Sequence, residues 1–511
     1  MKKILITIFC LTFFLGCDSD FLNETNPNTL TPDDFWQDAD DAQSAIIGAY
    51  SPLSTIFYHG RIWASIELAL SDEIVVTGAI GTQAERYNFN PNNGNFRLAF
   101  AEMWKVIFRS NLVLQNVPNI DMDATLKDNI LGEAYFLRAL QYFVLVNHFQ
   151  NIPLVTVPAS SLAETQQPPA SPDLVWAQIE ADLSAAIPLL PTSWDDSNKG
   201  RVMKGSASAL LGKAYLYQGN WTAAASELER LIDGSYGTFD LMPNFVDNFR
   251  DSSENNIESL FEIQFDQTGA WTAGWGSDVP NTARYSSFDN DFSNGSHSFM
   301  NPWVLDLFLR ETTNGGDIDP RAYETLVWDY PGAEHFSGEL FVDKFATQLE
   351  NYALDPVNVR RPVKAAKYIN PNSGLDAPSF SANGNNKRII RFADVLLMYA
   401  EAENEVNGPT AAAYASINRV RARVDMPDIP AGLSQADFRQ RVWDERTLEL
   451  CNESQRPLDL LRWGLSPSRF VDNPSFRNTD IFYVPGREYY PIPQLELDTN
   501  PNYNSQNQGY E

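Results

Sequence analysis

Two stretches of this chain, GSASALLGKAYLYQGNWTAAASELERLID at residues 205–233 and IIRFADVLLMYAEAENEVNGPTAAAYASINRVRARV at residues 389–424, carry one pattern 189 positions apart. In the first, Leu211, Gly212, Tyr215, Ala224 and Leu228 stand at the spacings of a tetratricopeptide unit. Small residues let two helices cross closely, and large ones fill the space around the crossing. In the second, Gly408 falls on Gly219, Ala413 on Ala224 and Ile417 on Leu228. A helix pair of this kind buries its apolar face only against neighbours, so the pattern predicts a stacked superhelix and not isolated hairpins.

Further helices with apolar periodicity are expected at 97–118, 129–149 and 172–190, the last opening on Ser-Pro-Asp. The stretch 129–149 is apolar nearly all round, which predicts burial on several sides. The expected fold is mainly α, with about four helix pairs. Between residues 234 and 385 the helical period fades: Gly, Asn, Asp, Ser and aromatics dominate, SLFEIQF (259–265) reads as a strand, and helix persists mainly near 301–311. A loop-rich insert of that length inside a compact fold usually carries function. The expected organisation is one domain over 35–511, with a helical scaffold at 35–233 and 386–464, the insert at 234–385, and a C-terminal segment at 465–511.

The N-terminus adds an address. Lys2 and Lys3 precede a twelve-residue, largely apolar run from Ile4 to Leu15, then Gly16 and Cys17. That run is too short for a bilayer, which needs roughly 20 residues, and reads as the core of a signal peptide over 1–16. Leu15-Gly16-Cys17 resembles a lipobox, with Phe14 as its departure, and implies that Cys17 is acylated. Residues 17–34 read as a polar tether. Of three cysteines, Cys10 leaves with the signal and Cys17 takes lipid, so only Cys451 remains and no intrachain disulfide can form. Stability must come from the core, which a chain with 43% apolar residues can supply. Loss of the two lysines takes the formal charge from −29 to −31, which argues against nucleic acid and against an electrostatic grip on anionic lipid.

Candidate chemistry is sparse. Glu445, Glu449, Glu453 and Asp459 could furnish paired carboxylates for glycoside hydrolysis. Arg446, Arg456 and Arg462 alternate with them, however, and alternating signs at helical spacing read as an ion-pair network. His59, His148, His297 and His335 form no ligand spacing, and only GGDIDP (315–320) offers oxygens that a calcium ion could use. No nucleophile elbow, phosphate loop or dinucleotide fingerprint occurs, so no catalytic residue and no cofactor is expected.

Aromatics are more informative. Among twelve Trp and twenty Tyr, Trp271, Trp275 and Trp328 lie in Gly- and Pro-broken segments, WTAGWG and LVWDYPG, where no packing period accounts for them. Trp36, Trp104, Trp176, Trp221 and Trp463 lie in periodic stretches and are assigned to packing. A sugar ring packs its C–H face on an aromatic ring while its hydroxyls need polar partners beside it. Loop Trp flanked by Asn, Asp and Arg have that composition; the competing reading is that they pin the insert to the scaffold. A second candidate segment is 69–93, where a helix ends at Ser71-Asp72-Glu73 before a Gly- and Asn-rich loop with Arg86 and Tyr87. At least one of Trp271, Trp275 and Trp328 is expected to stack on ligand, with Asp72, Arg86 or Tyr87 facing it from this loop.

Several blocks, taken in order, resemble the SusD/RagB family of surface nutrient-binding lipoproteins. They are CDSDFLNETNPNTLTPDDFWQDADDAQSAIIGAY, GEAYFLRALQYFVLVNHFQNIPLV, DPR at 319–321, RFADVLLMYAEAENE at 391–405, DERTLELCNESQRPLDLLRWG at 444–464 and YYPIPQLELDTNPNYNSQNQGY at 489–510. Gln150-Asn151 and Cys451-Asn452 depart from the pattern without touching a ligand motif. The resemblance implies a non-enzymatic, outer-membrane-anchored receptor that captures an oligosaccharide and closes over a SusC-like TonB-dependent transporter. A peptide receptor of the RagB type and a surface hydrolase are the alternatives.

Overall fold

The computed structural model describes residues 35–76, 83–84, 86–265, 284–285, 298–334, 339–355, 361–368, 382–466 and 482–511. The expected tether (17–34), Cys17, Trp271, Trp275, His297 and His335 lie outside these residues.

Helix starts follow local chemistry. Helix α1 (Ala39–Tyr50) opens on a capping box in which Asp38 accepts from the Asp40 and Asp41 N–H groups and the Asp41 carboxylate accepts back. The short α2 (Ile62–Ala69) is buried on nearly every face. Helix α3 (Gly94–Asn116) is capped by Asn93 and α4 (Ala124–Phe149) by Asp123. Proline at the first position starts α5 (Pro172–Leu189). The first repeat becomes α6 (Lys204–Tyr217) and α7 (Trp221–Ile232). After insert helices that include α8 (Pro302–Phe308) and α9 (Arg321–Thr325), the second repeat becomes α10 (Phe392–Asn407) and α11 (Ala411–Ala422). Helices α12 (Gln435–Leu450) and α13 (Arg456–Arg462) close the scaffold.

Helices α1, α3, α4, α5, α6, α7, α10 and α11 form a ladder in which each packs on the next, so four pairs stack among the described residues. This is the tetratricopeptide-like superhelix the repeat demands. At its centre α4 lies between α3 and α5, with Ile130, Phe136, Leu137, Tyr142, Val146 and Phe149 buried on different faces. Gly212 sets the α6–α7 distance: a Cβ there would lie 2.6 Å from the Leu228 side chain. Gly219 and Gly408, with φ of 72° and 79°, end α6 and α10 in the left-handed conformation that glycine adopts without penalty.

The strands are short antiparallel pairs; two join the insert to the scaffold and two lie within the insert. Strand β1 (Ile74–Val76) pairs with β4 (Ser298–Met300), β2 (Ser259–Ile263) with β8 (Lys387–Arg391), β3 (Arg284–Tyr285) with β7 (Ala382–Asn383), and β5 (Leu326–Val327) with β6 (Lys364–Ala365). The β2–β8 pair closes the neck of the insert: β8 runs directly into α10, and the Phe392 N–H donates to the Glu258 carbonyl at 2.8 Å. Trp36, Trp104, Trp176 and Trp221 pack against the core as assigned. Trp463 instead stacks on Trp443, with ring centroids 4.5 Å apart.

Candidate functional site

The two stretches nominated for ligand binding are joined at their roots. After α2 the Ser71 hydroxyl accepts the Glu73 N–H at 3.0 Å, and the chain enters β1. Val76, the last residue of β1, stands opposite Ser298, the first of β4. The segment that leaves β1 and the segment that enters β4 therefore depart from one edge.

Asp72 is part of that joint and not of its surface. Its carboxylate accepts from Arg456 Nε at 2.7 Å and Nη2 at 3.0 Å, and its carbonyl accepts from Asn301 Nδ2 at 2.5 Å and Trp303 Nε1 at 2.8 Å. The residue is fully buried, so the expectation that it faces ligand is corrected: it ties α2 to α8 and α13. Removing one partner of such a pair strands a buried charge, which is why the geometry is closed on every side.

Tyr87 is buried as well, with φ of 55°, its hydroxyl 3.2 Å from Ser466 Oγ and its ring edge-on to Tyr483. It anchors the 69–93 segment to the C-terminal segment and offers no face to ligand. Arg86 is half-buried and nearer the surface; its carbonyl accepts the Phe482 N–H at 2.9 Å, and its Nε has no hydrogen-bond partner among the described residues.

Trp328 is 3% exposed, which leaves no ring face for a sugar. Its role passes to the rings around it. Tyr323 lies on Trp328 with centroids 5.2 Å apart and planes 29° apart, while Tyr330 meets both rings edge-on at 4.6 and 5.1 Å. Tyr323 is 41% exposed. Beside this cluster Arg361 donates to Asp329 at 2.7–2.8 Å in a partly exposed pair, and Arg250 reaches Glu324 at 3.5 Å. The outcome is a phenol platform on an indole floor, flanked by hydrogen-bonding groups.

Tyr323 owes its position to the DPR turn. Arg321 is completely buried and donates to Asp319, to Glu445 at 2.6 Å and to Glu449 at 3.0 Å, so α9 is fixed to α12 two residues before the tyrosine. Sequence reasoning missed Tyr323 and Tyr330. No local period announced them: the chain bends at Asp329, where the Tyr330 N–H donates to the Trp328 carbonyl at 2.9 Å, and that turn sets the Tyr330 ring against Trp328.

The carboxylates of the C-terminal block are in ion pairs. Glu449 accepts from Arg321, Arg391 and Arg423, Glu453 from Arg391 and Lys367, Glu445 from Arg321 and Arg421, and Asp459 from Arg446 and Arg462. Burial by itself would raise the Glu449 carboxyl, but the guanidiniums of Arg423, Arg391 and Arg321 outweigh it and hold the group well below the usual range. Glu453 and Asp459 are depressed in the same way, against their own burial. A glycosidase needs one carboxyl kept protonated and open to substrate. Glu449, Glu453 and Asp459 are ionised, and all four carboxylates are buried and paired.

The 315–320 turn has its own internal bonding: the Thr313 N–H donates to the Asp317 carbonyl at 2.8 Å, and both Asp319 oxygens accept from Arg321. Among the described residues no three His, Cys, Asp or Glu side chains gather as a metal site. His148 is packed among Trp63 and Tyr490 and stays neutral, burial lowering it to about 4.

Comparison with known proteins agrees with this architecture. Residues 257–510 match the model of the SusD family, and residues 20–216 match a second model described as starch-binding associating with outer membrane. SusD-like proteins P25 and P2 of Formosa agariphila are each 28% identical to the chain; the alignments span 98% of it and 97% of P25, and 100% of it and of P2. Among solved structures, a SusD superfamily protein from Bacteroides vulgatus superimposes with a TM-score of 0.77 at 26% identity, over 93% of this chain and 100% of that one. A laminarin-binding SusD-like protein superimposes with a TM-score of 0.72 at 28% identity, over the same shares.

Proposed function

The chain belongs to the SusD/RagB family, and from that premise we propose that it is a surface receptor for an oligosaccharide, acting without bond cleavage and passing its ligand to a SusC-like TonB-dependent transporter. The observation that carries the ligand class is the Tyr323 platform: a partly exposed ring packed on Trp328 and Tyr330, with the partly exposed Asp329–Arg361 pair next along the chain from Trp328. A ring fixed in this way loses little freedom when a sugar packs on it. The hydroxyls of that sugar meet a charged pair that is still partly in water and can exchange its hydrogen bonds. The laminarin-binding relative makes laminarin the first ligand to try.

In this reading Cys17 carries the lipid anchor, the polar tether lets the receptor swing, and the stiff helix ladder gives the transporter a fixed surface to dock against. Arg86, in the segment after β1, and Trp271 and Trp275, which lie outside the described residues, are kept as proposed additional ligand contacts.

Isothermal titration with laminarin tests the platform. Tyr323→Ala is expected to weaken binding by about 1–3 kcal/mol, the range found for aromatic stacking on planar ligands, with an unchanged unfolding midpoint. Wild-type affinity in a folded variant would remove Tyr323 from the site. Binding of a peptide pool in place of glycan would transfer the receptor to the peptide branch.

A further inference from the structure

A second cleft lies on the scaffold side, between α8, α12 and α13. It encloses about 600 Å³, within the usual range of small-ligand sites, and its working residues are Trp303, Asp306, Arg310, Gln440, Trp443 and Trp463. We infer that this cleft is a second saccharide subsite, separate from the Tyr323 platform, that takes a neutral sugar segment. The choice of sugar as ligand class rests on the function proposed above.

Three observations carry it. First, the indoles are held rigidly. Trp303 Nε1 donates to the Asp72 carbonyl at 2.8 Å and Trp463 Nε1 to Glu401 Oε1 at 2.8 Å, while Trp443 stacks on Trp463 at 4.5 Å and 23°. The Arg456 guanidinium stands over the rings of Trp303 and Trp463 at 5.4 and 5.7 Å and so occupies the space between them. Second, all three indoles are half-buried and line the open volume between α8, α12 and α13. Tryptophans that served only to pin helices together would leave no such gap, because interiors pack to crystal density. Third, the rim supplies the polar groups that hydroxyls need: Arg310 pairs with Asp444 at 2.5 Å, Gln440 donates to the same carboxylate at 2.8 Å, and Asp306 is exposed.

Charge narrows the ligand. Arg456 is neutralised by Asp72 and Arg310 by Asp444, and Asp306 adds a further carboxylate to the lining, so an anionic sugar finds no net positive field. A long polysaccharide could engage both sites at once, which raises its apparent affinity with no stronger contact at either.

Titrations of laminarin and of soluble starch against the full chain, Trp443→Ala, Gln440→Ala and Tyr323→Ala test the inference. Trp443→Ala is expected to lower the affinity for the bound polysaccharide by about tenfold. Gln440→Ala, at an exposed position where the fold is not at stake, is expected to lower it by about threefold. Full affinity in Gln440→Ala together with full affinity in folded Trp443→Ala overturns the cleft. Loss in Tyr323→Ala alone keeps the proposed function and removes the second subsite. Loss in the cleft variants alone keeps the subsite and removes the platform, and a wild-type chain that binds neither polysaccharide overturns both.

Discussion

The carboxyls of this protein separate into two kinds according to what faces them. Asp394 is surrounded by Lys213 and Arg446, which overcome the effect of its burial and hold it at about 2. Glu73 accepts the Asn452 N–H at 3.3 Å, but its neighbour Asp72 has taken Arg456, so burial dominates and raises it to about 8. The two groups act on stability with opposite sign. For Asp394 the folded carboxyl is the stronger acid, so its contribution is present above its ordinary value near 3.8 and is lost as pH falls toward 2. For Glu73 the folded state keeps a proton that the unfolded state releases near 4.5, so its contribution is complete below that pH and is lost as pH rises through about 8. Glu73→Gln, which mimics the protonated acid, is therefore expected to flatten the decline in stability between pH 5 and 8.5. Urea midpoints of the two proteins across that range check it, and parallel slopes would contradict the assignment. Trp328 carries a related lesson. The sequence flags a ring outside any packing period, yet whether its face is open was decided by Tyr323 and Tyr330, which cover it.

Among elements, the repeat pattern was legible because helix periodicity is local. Each pair repeats within about thirty residues, and the positions marked small are the ones where the helices cross. Gly212 and Gly48 show how context decides the effect of one substitution. A Cβ at Gly212 would meet Leu228 at 2.6 Å, whereas at Gly48, inside α1, it meets nothing within 4 Å. Gly212→Ala is expected to destabilise by about 1–3 kcal/mol through overpacking of the α6–α7 crossing. Gly48→Ala is expected to stabilise by up to about 1 kcal/mol, since helical alanine loses less entropy. Denaturant unfolding of both variants checks the pair, and equal shifts would mean that the crossing distance is not set by Gly212. The strands were less legible. SLFEIQF was read correctly as β, but strands of two and three residues such as β5, β6 and β1 carry no period, and their partners lie far along the chain.

At the scale of the molecule, the insert and the scaffold are one body because charge bridges them. Arg391, at the neck, binds Glu258 of the insert and Glu449 and Glu453 of the scaffold, and Arg321 of the insert reaches Glu445 and Glu449 of the scaffold. No helix among the described residues is long and apolar enough to cross a membrane. In the proposed function the acyl chains of Cys17 supply the attachment. Cys17→Ala is expected to leave a folded protein in the soluble fraction; full recovery with membranes from cells that lack the transporter would assign the anchor elsewhere. The sequence by itself determined the helix pairs with their caps and turn glycines, which depend on residues within a few turns of one another. It marked the C-terminal Glu and Arg residues as ionic, but the partners of Glu445, Glu449 and Glu453 come from Arg321, Lys367, Arg391, Arg421 and Arg423. Only the tertiary structure decided which polar and aromatic side chains are free. Exposure depends on what packs from distant positions, and that packing buried Asp72 and Trp328, left Tyr323 open, and turned Trp463 from a core ring into the wall of a cleft.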